Sequence, residues 1–361
     1  MTVPAEPLGS ELLHRVQAVF ARYCVLPDRH ASVAITLFTA YTHAASAFDF
    51  APRLVLTSPE KRSGKTRCME IVGHMAHKPM WTANASTAAI YRSLNAPITL
   101  LLDEADTVFG TKTKAEQNED LRGILNAGFQ RGTPVIRYDA ARRSVEYLPT
   151  FSPVVLAAIG RLPDTITDRA VNIRLRRRKP SETVSPFRLS RDADPLRALG
   201  YDLGTWIKEH LDELKVAQPD LPVEDRAADL WEPLIAVADL AGGAWPHRAR
   251  AAAVAMTEDA ARTDADHSAG HELLTDVQGL LGWMQSNFLT TESLITNLTA
   301  IPDSRWHDEG LTGRRLALLL RPYGVCVGRN PSTQKRERGY LRADLVDVFA
   351  RYLDDPDNGD R

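Results

Sequence analysis

The sequence predicts an α/β protein built on a parallel sheet with helices on both faces, flanked by helical segments. Two observations carry this expectation. The apolar runs Leu54–Thr57, Ile98–Leu102 and Val154–Ile159 are short and continuous rather than alternating, as strands buried on both faces require. Helical stretches separate them, and parallel strands need such crossovers. At 361 residues, with 44% hydrophobic and 25% charged residues, the chain is long enough for two or three folded units with a sizeable core.

Residues 1–50 read as an N-terminal helical region. Leu12, Leu13, Val16, Val19 and Phe20 share one face of a helix that Pro27 ends, and Ala31–Ala47 is apolar nearly all round, the pattern of a buried helix. Residues 51–180 hold the α/β core: the first strand, a loop, a helix over Thr66–Met75, the second strand, a helix over Asp120–Gln130 and the third strand. Before that third strand, Pro134–Tyr138 and Val145–Phe151 form an inserted hairpin. The polar stretch Pro180–Asp194 leaves the core, and residues 181–263 are helical, interrupted at Gln218–Pro222 and at Gly242-Gly243. Asp264–Gly270 reads as a linker. Residues 271–354 form a last unit, followed by a frayed acidic tail, Asp354–Arg361.

Composition excludes several classes. The formal net charge is −2, so any nucleic-acid contact must come from local basic patches. The three cysteines, Cys24, Cys68 and Cys326, are widely separated with no CxxC pair, which argues against a disulfide scaffold or zinc knuckle and suits a reducing compartment. His74 and His77 lie one turn apart, yet no third ligand accompanies them or His43, so the histidines are not expected to form a metal site. The N-terminus MTVPAEPLGS carries no signal-peptide pattern and no apolar run approaches the ~20 residues that span a bilayer, so a soluble bacterial cytoplasmic protein without membrane contact is expected.

The strongest chemical signal is Pro59-Glu60-Lys61-Arg62-Ser63-Gly64-Lys65-Thr66, after a strand and before a helix. In that context successive backbone N–H groups and a helix N-terminus converge on an anion. Lys65 reaches the β- and γ-phosphates of ATP, Thr66 completes a Mg²⁺ shell, and Arg67 opens the helix beside them. Pro59 replaces the first glycine of the usual loop and fixes φ there, so the loop entry differs. The second signal is Ile98-Thr99-Leu100-Leu101-Leu102-Asp103-Glu104-Ala105-Asp106, a buried strand that ends in acids. At the carboxyl end of a parallel strand, Asp103 faces the ligand crevice and suits Mg²⁺, and Glu104 suits orienting and deprotonating water. Asp106 reads as a cap for the next segment.

With both motifs, the chain resembles the AAA+ class of P-loop ATPases. It is more closely similar to phage- and plasmid-associated ATPases of actinobacteria, many grouped only as domains of unknown function. Ser58–Thr66, Leu102–Asp106, Leu125-Asn126-Ala127-Gly128 and Gly160-Arg161-Leu162-Pro163-Asp164-Thr165 carry the likeness. It implies an AAA+-like P-loop core with a helical lid, working as a hexamer-like ring. It also implies that Arg169 reaches the γ-phosphate of a neighbouring subunit; a salt bridge to Asp164 or Asp168 is the alternative. AAA+ proteins end the third strand with a polar residue, where Ala158-Ile159-Gly160 offers none and Arg161 is the nearest candidate. Arg226, in a segment that looks like the lid helix, either contacts the same phosphates or pairs on the surface.

Arg142 and Arg143 occupy the hairpin tip, beside Arg137. Hexameric helicases of the minichromosome-maintenance type and of superfamily 3 grip DNA with such tips; an ordinary solvated turn is the alternative. The run Arg174–Lys179 is also basic. Near the C-terminus, helices over Glu292–Leu298 and Thr312–Leu320, with short strands at Val325–Val327 and Gly339–Leu341, make a winged-helix pattern. Arg314 and Arg315 open its recognition helix, while Arg329, Lys335, Arg336 and Arg338 fill its wing. Trp306 and Tyr340 read as core. The expected function is ATP-driven action on DNA by a helicase, translocase or replication initiator of a mobile element. The alternatives are an ATP-dependent regulatory or defence switch, whose winged helix binds DNA or a protein, and a DNA-binding adaptor with a decayed ATPase, against which the intact motifs count.

Overall fold

The computed structural model describes residues 8–82, 90, 93–94, 98–109, 119–139, 143–160, 162–282, 284, 286–302, 304–308, 310–330 and 337–353. The chain divides into two compact units, Met1–Glu258 and Asp259–Arg361.

In the first unit, helices α1 (Leu8–Tyr23) and α2 (Arg29–Ala44) precede strand β1 (Arg53–Ser58). Asp28 caps α2 by accepting the Ala31 N–H at 2.8 Å. The buried hydroxyls of Thr36, Thr39 and Thr42 bond back to carbonyls of the same helix, which lets an Ala-rich helix be buried nearly all round. Then follow α3 (Lys65–Met75), β2 (Pro79–Thr82), β3 (Thr99–Leu102), α4 (Ala105–Phe109), α5 (Glu119–Ala127), β4 (Val135–Asp139), β5 (Ser144–Leu148), β6 (Val154–Ile159), α6 (Asp164–Thr167) and β7 (Ala170–Arg174). Helices α7 (Leu189–Glu209), α8 (Leu211–Lys215) and α9 (Asp225–Ala241) complete the described elements up to α10 (Trp245–Leu281).

The sheet is five-stranded, in the order β2-β3-β6-β1-β7, and every pairing in it is parallel. Successive strand residues point to opposite faces. Leu54, Leu56, Leu101, Val155, Ala157 and Ile173 pack with α1, α2, α3, α7 and α9 on one side. Val55, Leu100, Leu102, Leu156 and Ala158 pack with Leu121, Ile124 and Leu125 of α5 on the other. Burial on both faces is why these strands read as unbroken apolar runs.

The expected core strands stand where the apolar runs predicted them, and β4 and β5 form the expected antiparallel hairpin before β6. The edge strands β2 and β7 were not anticipated. The helix expected to reach Gln130 ends at Ala127, and at the next residue the chain passes so close to Thr150 that a Cβ on Gly128 would lie 2.2 Å from its carbonyl oxygen. The linker expected at Asp264–Gly270 is corrected: backbone helix runs unbroken over Trp245–Leu281.

In the second unit, α10 ends and β8 (Phe288–Thr290), α11 (Thr291–Thr299), α12 (Arg305–Asp308), α13 (Gly313–Leu320), β9 (Gly328–Arg329), β10 (Arg338–Leu341) and α14 (Arg342–Tyr352) follow. Thr290 and Thr312 cap α11 and α13 through their hydroxyls, the second as expected. The strand read at Val325–Val327 instead forms at Gly328–Arg329, and the sheet order is β8-β10-β9, all antiparallel. Trp306 and Tyr340 are buried in this unit's core, as expected. The acidic tail 354–361 lies outside the described residues. Among the described residues, no helix is long and apolar enough to cross a membrane.

Candidate functional site

The strand order creates a crevice. From β1 the chain passes through α3 to the β2 edge, whereas from β6 it passes beyond β1 to β7. Neighbouring strands whose connections leave in opposite directions form a switch point, and ligands bind outside the carboxyl ends of such strands. Both sequence motifs end there: β1 runs into residues 59–64, and β3 runs into Asp103 and Glu104.

Residues 59–64 form a loop with Pro59, Glu60, Lys61, Arg62 and Gly64 exposed and Ser63 buried. Arg62 and Gly64 take positive φ values of 65° and 89°. The left-handed Gly64 is the N-cap of α3 and leads into Lys65. The Lys65 ammonium donates to Ser58 Oγ at 2.5 Å, to Ser63 Oγ at 3.3 Å and to the Glu60 carbonyl at 3.4 Å, so it lies across the loop that precedes it. Burial pushes its pKa down, and the carboxylates of Asp106 and Asp103 oppose that shift. Acids from the end of β3 therefore act on the lysine that follows β1.

Asp103 is half-buried and accepts the Glu104 N–H at 2.8 Å. Glu104 is exposed and holds φ at 54°, a conformation that costs a non-glycine residue free energy. Asp106, expected only as a cap, instead reaches the adjacent strand end and accepts the Ile159 N–H at 2.8 Å. The next residue, Gly160, donates its N–H to the Ser58 carbonyl at 2.9 Å. The ends of β3, β6 and β1 are thereby tied together, and Ser58 passes the tie to Lys65. Sequence reading missed Asp106 and Ser58 in this role, because nothing local marks a carboxylate as reaching across to a neighbouring strand.

The basic run 174–179 wraps this loop. Arg177 donates to the Lys61 carbonyl at 3.2 Å and pairs with Glu60 at 3.0 Å, an exposed ion pair of small worth. Arg176 and Arg178, with Arg62, Arg67, Tyr23 and Phe187, line a cavity of about 330 Å³ beside Ser63 and Gly64. The Arg67 guanidinium lies 4.8 Å from the Phe187 ring centroid and pairs with Glu70.

Arg169 donates to the Thr165 carbonyl at 2.6 Å, while Asp168 pairs with Arg226 at 3.3 Å. Arg226 therefore meets a carboxylate and Arg169 a carbonyl in this arrangement. Burial and then the Arg226 charge push the Arg169 pKa down, against Asp168. Arg143 is exposed, with φ at 50°. In the second unit, Arg314, Arg329 and Arg338 are exposed and Arg315 is half-buried. Arg142, Arg161, Lys335 and Arg336 lie outside the described residues.

Among the described residues no cluster of three or more His, Cys, Asp or Glu side chains is placed to hold a metal. Thr66 and Asp103 offer a hydroxyl and a carboxylate, the hard oxygen donors that Mg²⁺ takes in nucleotide sites together with phosphates and water.

A family model described as protein of unknown function (DUF3631) matches residues 174–352, from the end of β7 to the end of α14. A protein of Saccharopolyspora erythraea, described as an uncharacterized 28.9 kDa protein in the xis 5′ region, is 40% identical over 185 residues. The match covers 50% of this chain and 69% of that protein. The chain belongs to the DUF3631 family. Among solved structures, one titled SCCmec type IV Cch, active helicase, has a TM-score of 0.43 and 10% identity, over 94% of this chain and 71% of that one.

Proposed function

We propose that this DUF3631 protein is an AAA+-type P-loop ATPase that acts on DNA. The carrying observation is Lys65, whose ammonium lies 2.5 Å from Ser58 Oγ within the loop after β1, under the influence of acids from the end of β3. In this reading, the N–H groups of residues 60–64 and the N-terminus of α3 hold the β- and γ-phosphates of ATP. Lys65 turns from its serine partners to those oxygens. Thr66 and Asp103 hold Mg²⁺, which supplies charge neutralisation to the phosphates. Glu104 orients and deprotonates the attacking water, and Asp106 keeps the β3 end in register with β6. The cavity beside Ser63 and Gly64 has the volume of a small-ligand site and takes the nucleotide base.

Arg169 acts in trans in a ring of subunits, with Arg226 and Arg161 as further phosphate contacts. Residues 181–263 serve as the lid, and residues 271–354 are a winged helix. Its helix–strand–helix–helix–helix–strand–strand–helix order and three-stranded antiparallel sheet support that assignment. Arg314, Arg315, Arg329, Lys335, Arg336 and Arg338 meet DNA phosphates there, and Arg142 and Arg143 do so at the hairpin tip. The location of a relative in an xis 5′ region agrees with a mobile-element role.

The test is ATP turnover with and without DNA, beside Glu104→Gln, together with size-exclusion chromatography with and without an ATP analogue. DNA-stimulated turnover abolished by Glu104→Gln supports a motor. Nucleotide-dependent assembly without DNA stimulation supports the regulatory switch, and a monomer under all conditions removes any trans role for Arg169.

A further inference from the structure

The hairpin β4–β5 pairs with no other strand among the described residues and presents one apolar face. Ile136 stands opposite Tyr147, and Tyr138 opposite Val145, so the four side chains share a face. All four are exposed: Ile136 61%, Tyr138 66%, Val145 53% and Tyr147 66%. Glu146 alternates with Val145 and Tyr147 and so belongs to the opposite face. A two-stranded hairpin alone is marginally stable, and a contiguous apolar face in water marks a contact surface.

We infer that this face is a stacking platform for the bases of single-stranded nucleic acid, with Arg143 at its end taking a phosphate. Three features favour that occupant over a second copy of the chain. The two tyrosines are diagonal neighbours, ~7–8 Å apart in such a ladder, so successive bases can meet both rings. The exposed guanidinium of Arg143 lies next to β5 and complements a strand's backbone charge. The four side chains offer about 400 Å² of surface, roughly half of the ~800 Å² that each partner of a stable protein pair buries. The inference rests on the DNA-acting reading and narrows it to the unpaired strand.

The test uses the full chain, a fluorescein-labelled oligothymidine and a duplex of equal length. Tyr138→Ala and Tyr147→Ala should each weaken oligothymidine binding roughly 5- to 100-fold, and Tyr→Phe at either position should restore it, because the ring stacks. Duplex affinity should stay within about two-fold, and an oligonucleotide carrying 5-iodouracil should crosslink on irradiation to the peptide containing Tyr138 or Tyr147. Oligothymidine binding that is unchanged in both alanine variants overturns the inference and leaves the DNA-acting reading standing. A loss of oligomeric mass in those variants, with oligothymidine binding intact, assigns the face to a second copy. Wild-type protein that binds neither strand form overturns this inference and the reading beneath it.

Discussion

The carboxylate of Asp106 accepts the backbone N–H of Ile159 at 2.8 Å, joining the segment after β3 to the end of β6. Gly160 then bonds Ser58, and Ser58 accepts from Lys65. Three strand ends that each carry one part of the site are held in one hydrogen-bonded chain. Asp106→Ala should leave the Ile159 N–H without this partner and cost about 1–3 kcal/mol, read by urea unfolding. Asp106→Asn keeps an acceptor and should recover most of that stability while removing a charge that acts on Lys65. Equal stability in wild type and Asp106→Ala would refute the tie.

Glu104 separates stability from turnover. Its φ of 54° suits glycine, so Glu104→Gly should raise stability by about 1 kcal/mol while abolishing turnover. Glu104→Gln should bind nucleotide as wild type and turn over ~10²- to 10⁴-fold more slowly. Calorimetric titration with an ATP analogue, beside a phosphate-release assay, separates the two effects.

His43 sets an acid limit on stability. It donates Nε2–H to the Met75 carbonyl at 2.8 Å, and burial pushes its pKa down to about 4 despite that bond. The unfolded chain binds a proton near pH 6.5, so between pH 6.5 and 4 it carries more protons than the folded chain. The stability from neutral His43 is fully present above about pH 6.5 and is lost as pH falls, by up to about 3 kcal/mol near pH 4. Burial lowers His74 and His77 as well, so they act in the same direction. Urea unfolding at several pH values should show this slope, and His43→Gln should reduce it.

Gly200 of α7 lies against the end of α3 at Met75. A Cβ there would lie 2.7 Å from the Met75 carbonyl oxygen and 2.8 Å from Met75 Cα. Gly200→Ala should destabilise by about 1–3 kcal/mol, despite the ~1 kcal/mol that alanine contributes within a helix. An unchanged thermal midpoint would contradict that packing.

Arg329 and Arg338 stand directly opposite each other on β9 and β10, and like charges in that relation repel. Arg329→Gln should therefore raise stability by a few tenths of a kcal/mol at low salt. In the DNA-acting reading it should also weaken binding and reduce the salt slope of log K by about 0.9. Loss of stability with an unchanged salt slope would reject the phosphate role.

The core strands and the loop between β1 and α3 were legible because each is a local pattern: an apolar run, a turn and a helix start. The edge strands were not, since Pro79–Thr82 and Ala170–Arg174 are short and become strands through their partners. Gly270 misled the reading in a specific way. A Cβ there would come within 2.9 Å of the Tyr323 ring, so the glycine serves close packing inside a helix rather than ending one. The exposed hairpin face is not legible either, because alternation alone does not say whether Tyr138 and Tyr147 meet a core or solvent.

The α/β class, the loop at Pro59–Thr66, the acids after β3 and the hairpin before β6 follow from hydrophobic period, turn chemistry and adjacency along the chain. Which strand ends meet, that Asp106 reaches Ile159 and that Arg177 closes on the loop at Lys61 depend instead on the folded arrangement. Those contacts join residues 53 and 116 positions apart, and they exist only once the order β2-β3-β6-β1-β7 brings separate segments to one crevice.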